Sequence, residues 1–253
     1  MRLFHKRTAL CLAIALALTS TPLLSQTKKK HTTKKTTGSS TSSSSACGIK
    51  CGTERWQVKT MTDADVGTVN ETPKDIGVSQ LLQIAAPAKL PDQTRTPEEK
   101  QVYHVRALLL GWKIEGGSKP SGSFTKASVP DQDFHIVIAD PQNKKHTMIV
   151  EVPDPECKSV CSSKFLTQFT AGRKAVQDKL GQPSSSFHLL DHPWSVEIWG
   201  PALFDFYHGQ TGVATNCIEI HPVQKIDFVQ EETNMPKATL PQHQKSDFQC
   251  GTK

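Results

Sequence analysis

Two short runs with an apolar residue at every second position constrain this chain most. In DQDFHIVIAD (131–140), Phe134, Ile136 and Ile138 share one face, and Asp133, His135 and Val137 share the other. In HTMIVEV (146–152), Met148, Val150 and Val152 oppose Thr147, Ile149 and Glu151. A period of two marks a strand with one face on a core. Residues 217–228 start the same way, Ile218 and Ile220 alternating with Glu219 and His221, and residues 102–115 and 194–199 read as two further strands. Between the third and fourth strands, Phe165, Leu166, Phe169, Val176 and Leu180 form one helical stripe. Ser162 or Ser163 caps it and Gly181 ends it. Five strands with a helix between the third and fourth is the element order of the OB-fold. The predicted fold is therefore mainly β (α+β): a five-stranded, OB-like Greek-key barrel with an irregular N-terminal extension.

The chain divides by composition. Arg2, His5, Lys6 and Arg7 precede an apolar run at 10–18 and a small, polar exit ending near Ser25. That is the pattern of a secretory signal peptide over residues 1–25, and the run is too short for the roughly 20 residues a lasting membrane span needs. Residues 26–46 are Lys-rich and then Ser-rich, a composition that builds no core. They read first as a disordered spacer and second as a strap touching anionic envelope polymers. Residues 47–100 form the extension, with a short strand at Trp56 and Val58 and a helix at 78–86. The barrel domain takes 101–230, and the polar, Pro-dotted 231–253 reads as a flexible tail.

The formal charge of +6 belongs to the N-terminus: residues 1–53 hold nine Lys/Arg and no acid, whereas 54–253 hold 21 Lys/Arg against 24 Asp/Glu. The globular part thus has no overall electrostatic case for a long polyanion. Of seven cysteines, Cys11 leaves with the leader. The remainder, Cys47, Cys51, Cys157, Cys161, Cys217 and Cys250, is an even set, and in an exported chain this favours disulfides over a four-thiolate zinc site. Sequence does not choose the pairing. The expected location is periplasmic or extracellular, with no stable membrane span.

The polar positions of three strands carry Asp133, His135, Glu151, Glu219 and His221, and the loop before the last strand adds Asp205, His208, Gln210 and Asn216. Three readings follow. The plainest is a solvated sheet face. The second is a binding module for a small molecule, oligosaccharide or oligonucleotide, with Asp133, His135, His208, Gln210, Asn216, Glu219 and His221 as contacts and Tyr103, Trp112 and Trp199 as gripping aromatics. The third is a hydrolase or nuclease acting on phosphodiesters. There, Glu151 or Glu219 serves as base, His208 or His221 as acid, and Arg106 or Lys113 as the cation facing phosphate. A divalent metal such as zinc or manganese, held by His135, Glu219 and His221, is the cofactor these residue types suggest. No P-loop, dinucleotide fingerprint, nucleophile elbow or H-E-x-x-H signature is present.

ERWQVKT (54–60), DQDFHIVIAD, TMIVEVPDPEC (147–157) and HGQTGVATNCIEIHPV (208–223) resemble segments of a group of uncharacterised exported bacterial proteins. The resemblance spans most of 54–228. It implies a bacterial envelope or extracellular setting and a single domain with its own extension, and it transfers no activity.

Overall fold

In the computed structural model, residues 49–52, 54–116 and 131–253 are described. The leader, the tether, Cys47 and most of the Gly/Ser-rich loop at 116–130 lie outside the described residues.

The chain is mainly β, with seven strands in one mixed sheet: β1 (Asn70–Ile76), β2 (Gln101–Ile114), β3 (Phe134–Ala139), β4 (Thr147–Val152), β5 (His188–Phe204), β6 (Ile218–Ile220) and β7 (Lys225–Glu231). The helices are α1 (Trp56–Lys59), α2 (Val78–Leu81), α3 (Lys158–Cys161) and α4 (Leu166–Leu180). Five strands close a ring of pairings, β2 to β3, β3 to β4, β4 to β6, β6 to β5 and β5 back to β2. β1 joins the free edge of β2 in parallel, and β7 joins β5 antiparallel. The five-strand expectation is corrected to seven.

Each added or altered element has a local cause. β1 reads NETPKDI, exposed along nearly its whole length, and an outer strand tolerates both the polarity and Pro73. β5 runs far beyond 194–199, through Pro193 and Pro201, whose carbonyls accept from the N–H groups of Glu232 and His221. Residues 217–228 form two strands, since Pro222, after a cis His221–Pro222 bond, cannot donate to a ladder. Trp56 and Val58 lie on α1 rather than on a strand, and the helix expected over 78–86 is regular only for α2.

β2 pairs with β1, β3 and β5, and its register shifts between Leu109 and Gly111 against both β3 and β5. A bulge of this kind adds the twist that bends a sheet around. Gly111 is required there, since a Cβ would lie 2.5 Å from the His188 carbonyl oxygen. The ring's interior holds the main core, including Val105, Ile136, Met148, Val150, Ile198 and Ile220. From α4, Val176 joins this core, and the Arg173 guanidinium stacks 3.6 Å from the Phe134 ring centroid.

The opposite face is covered as well. β3 and β4 are buried at every position. Part of the cover comes from the N-terminal segment, which is fastened by two ion pairs with no side-chain exposure. Arg55 meets Glu99 at 2.6 Å, and Arg95 meets Asp63 at 2.7 Å. Disulfides join Cys51 to Cys157 and Cys217 to Cys250, and Cys161 is disulfide-bonded too, which excludes the four-thiolate zinc alternative. The tail expected to be loose is tied back by Cys250 and by a bridge between Lys89 and Thr252. Among the described residues no helix is long and apolar enough to cross a membrane.

Candidate metal centre

Register assembles the site. Lys113 on β2 stands opposite His135 on β3, which stands opposite Glu151 on β4. β6 runs parallel to β4 with Ile149 opposite Glu219 and Val150 opposite Ile220. One step further along that register, His221 reaches Glu151. Positions two residues away share the same face, so Glu115 lies beside Lys113, Asp133 beside His135, and Glu219 beside His221. Gln132, at φ 59°, turns the chain ahead of β3 and sets Asp131 at the edge of the same group.

Glu151 is the hub. Its Oε1 lies 3.0 Å from His135 Nδ1, and its Oε2 lies 3.1 Å from His221 Nδ1. Glu115 Oε1 approaches His135 Nδ1 to 3.2 Å, and Asp133 Oδ2 approaches His221 Nε2 to 3.2 Å. His135 Nε2 is 2.9 Å from the Thr211 carbonyl oxygen, to which it donates. That carbonyl is held close by Gly212 at φ 78°, where a Cβ would lie 2.4 Å from Val137. Lys59, projected from α1, bridges Asp205 at 3.1 Å and Asp131 at 3.3 Å.

The group is short of positive charge. Burial, with Glu151 and Asp205 behind it, pushes the Glu219 carboxyl up to about 8 against the pull of His221. Burial likewise takes Asp133 to about 7, with His221 opposing and Asp131 and Glu151 adding to the rise. Burial disfavours the His135 imidazolium, yet Glu115 and Glu151 outweigh it and raise the ring to about 9. His221 is raised well above its ordinary value: burial opposes this, but Asp133, Glu151 and Glu219 prevail. Glu151 sits well below the usual carboxylate range, its burial overcome by the two imidazoles. Several groups also lack hydrogen-bond partners. Asp133 Oδ2, Glu219 Oε2 and both ring nitrogens of His221 are buried at ion-pair distances whose directions make no hydrogen bond. Unsatisfied buried polar atoms are rare and costly, and they mark places where an ion or water belongs.

A cavity of about 540 Å³ opens onto this cluster. Its wall holds Glu54, Glu115, Asp131, Glu151, Asp205 and Glu219 against Lys59 and Lys113. His208, Gln210 and Thr211 form part of its rim. A neighbouring hollow of about 610 Å³ is lined by Leu90, Pro91 and Phe206 together with Glu54, Lys89, Asp92 and Lys253, and carries none of the buried imidazoles.

The sequence-derived candidates therefore separate. Asp133, His135, Glu151, Glu219 and His221 converge, but as a buried cluster, which corrects the expectation of a solvated face. His208 stays at the surface, 2.8 Å from Glu54, and Gln210 donates to the Phe206 carbonyl. Asn216 is structural: its amide donates to the carbonyls of Leu81 and Ile84. Tyr103 and Trp112 are buried in the core, Trp199 stacks on His104, and Arg106 pairs with Glu197, so none of these four serves the cavity. Lys59, Glu115 and Asp131 were missed by sequence reasoning. The D-x-D-x-H spacing at 131–135 carried the signal for Asp131, and Glu115 lies two residues past Lys113. Nothing local marks Lys59. Comparison with protein-family models, with curated proteins and with solved structures found no match.

Proposed function

We propose that this chain is a divalent-metal-dependent hydrolase of phosphate esters, built on an OB-like barrel and working outside the cytoplasm. The observation that carries the reading is the grouping of His135 and His221 with Glu115, Asp133 and Glu151 beneath an open cavity. Imidazole and carboxylate together suit zinc or manganese. The binding-module and hydrolase readings share this cavity, and its charge separates them. Six carboxylates against two lysines repel an anionic ligand unless cations are present, and none of Tyr103, Trp112 and Trp199 lines the cavity to stack on a sugar or base. A bound cation would supply Lewis acidity and a nucleophilic water at neutral pH. In this scheme His135 and His221 ligate, and the Thr211 carbonyl fixes the tautomer of His135. With a cation bound nearby the Glu219 carboxyl would be held ionised and would accept a proton from water, while the Lys59 bridge holds Asp131 and Asp205 in place.

Support for the OB-like barrel comes from the pairing order, in which the first ring strand meets the second and fourth and the third meets the fifth, with α4 between third and fourth. Support for export comes from the leader pattern and the disulfides. The bacterial setting rests on the resemblance at 54–60, 131–140, 147–157 and 208–223.

The direct test is hydrolysis of bis(p-nitrophenyl) phosphate by protein purified from an oxidising compartment. Turnover should appear with Mn²⁺ or Zn²⁺, vanish after chelation, and return when metal is restored. Absence of turnover on this ester and on p-nitrophenyl phosphate, with metal bound, would remove the hydrolase.

A further inference from the structure

The geometry points to a centre of two divalent cations bridged by Glu151: one held by Glu115, His135 and Glu151, the other by Asp133, Glu151 and His221. This deepens the proposed function and rests on it.

Two triads, each a histidine and two carboxylates, have donor atoms within 4.8 Å of one another, and Glu151 is the one residue common to both. Its two oxygens point to different imidazoles, Oε1 to His135 and Oε2 to His221. A single cation would use one of these oxygens and leave the other histidine facing acids alone. A carboxylate shared in this way is how a protein holds two ions at the roughly 3.5–4 Å spacing typical of two-metal hydrolytic sites.

The hydrogen bonds argue the same for each half. His135 donates Nε2–H to the Thr211 carbonyl at 2.9 Å. Its Nδ1 lies between the Glu115 and Glu151 carboxylates, so a cation that displaces the Nδ1 proton would meet three donors at once, with Nε2–H on a backbone carbonyl as the outer contact of a metal-bound imidazole. At the other half, Asp133 Oδ2 and both His221 nitrogens are fully buried without hydrogen-bond partners. Nε2 of His221 faces Asp133 Oδ2 at 3.2 Å and Nδ1 faces Glu151 Oε2 at 3.1 Å, so whichever nitrogen ligates, the other lies within reach of the second carboxylate. Glu219 Oε2, 3.7 Å from His221 Nδ1, offers a further oxygen on that side.

The test counts ions. The mature wild type is loaded with Mn²⁺, desalted and analysed for manganese and protein, and the sample is then examined by low-temperature electron paramagnetic resonance. The expected result is close to two ions per chain with the signature of spin-coupled manganese. Glu115→Gln and Asp133→Asn are near-isosteric, so the fold should survive by circular dichroism. Each should bind about one ion and show an uncoupled signal. A wild type that binds one uncoupled ion and still hydrolyses the ester would overturn the two-ion centre and leave the metal hydrolase standing. A wild type that binds none would overturn both, leaving an imidazolium–carboxylate network.

Discussion

Glu151→Gln should strip the centre of both ions and lower ester hydrolysis by at least ~10²-fold, the scale of losing one preorganised electrostatic contact at a reacting group. The effect is expected to exceed that of any other single ligand, because among the described residues Glu151 alone reaches both histidines. Glutamine keeps the shape and a carbonyl oxygen but loses the charge that holds His135 and His221 together. The fold should persist, since the strand pairing of β4 with β3 and β6 is made by backbone. The readout is metal per chain beside turnover at saturating Mn²⁺. A variant that retains both ions and near-normal turnover would remove Glu151 from the centre.

The second large effect lies far from any ligand. Arg55→Met should destabilise the protein by about 3–5 kcal/mol, the cost of leaving one partner of a buried ion pair alone. Arg55 holds both oxygens of Glu99, at 2.6 and 2.9 Å, and also the carbonyls of Phe204 and Thr94. Glu99 in turn accepts from the backbone N–H groups of Thr96 and Phe204. This one network ties the start of α1, the 94–99 turn and the end of β5 together. At about 2–4 °C per kcal/mol for a chain of this size, the fall in Tm should be on the order of 6–20 °C. Removing both charges with Arg55→Met/Glu99→Leu should recover part of the loss. A single variant that melts within a degree or two of wild type would show that the N-terminal segment is held by other contacts. Because Arg55 and Lys59 lie four residues apart on one short element, the same variant should also loosen the Lys59 bridge to Asp131 and Asp205.

How much of this was legible in the sequence follows from what alternation can say. The period of two at 131–140 and 146–152 placed His135 and Glu151 on one face, and the same period at 218–221 added Glu219 and His221. Alternation specifies which side chains share a face but not what covers that face. The cover here is supplied by α1, which brings Lys59 from a segment 72 residues before Asp131, and by the loop carrying Asp205 and Thr211. No local pattern encodes that return, so the cluster read as solvated when it is buried. The same limit hid β1, whose polar NETPKDI has no periodicity to detect and pairs only because β2 offers a free edge. The strand read at 194–199 runs on through Pro193 and Pro201, and the single strand read at 217–228 is divided at Pro222 into β6 and β7. The two-residue alternation of Trp56 and Val58 was too short to distinguish strand from helix.

The most direct test of the central claim is anomalous scattering from crystals of the mature protein soaked in Mn²⁺, recorded near the manganese edge. The expected result is strong density in coordinating contact with Glu151, one peak adjoining Glu115 and His135 and a second adjoining Asp133 and His221. Electron density that shows these side chains in direct hydrogen bonds, with no anomalous peak among them under saturating Mn²⁺, would contradict the metal centre.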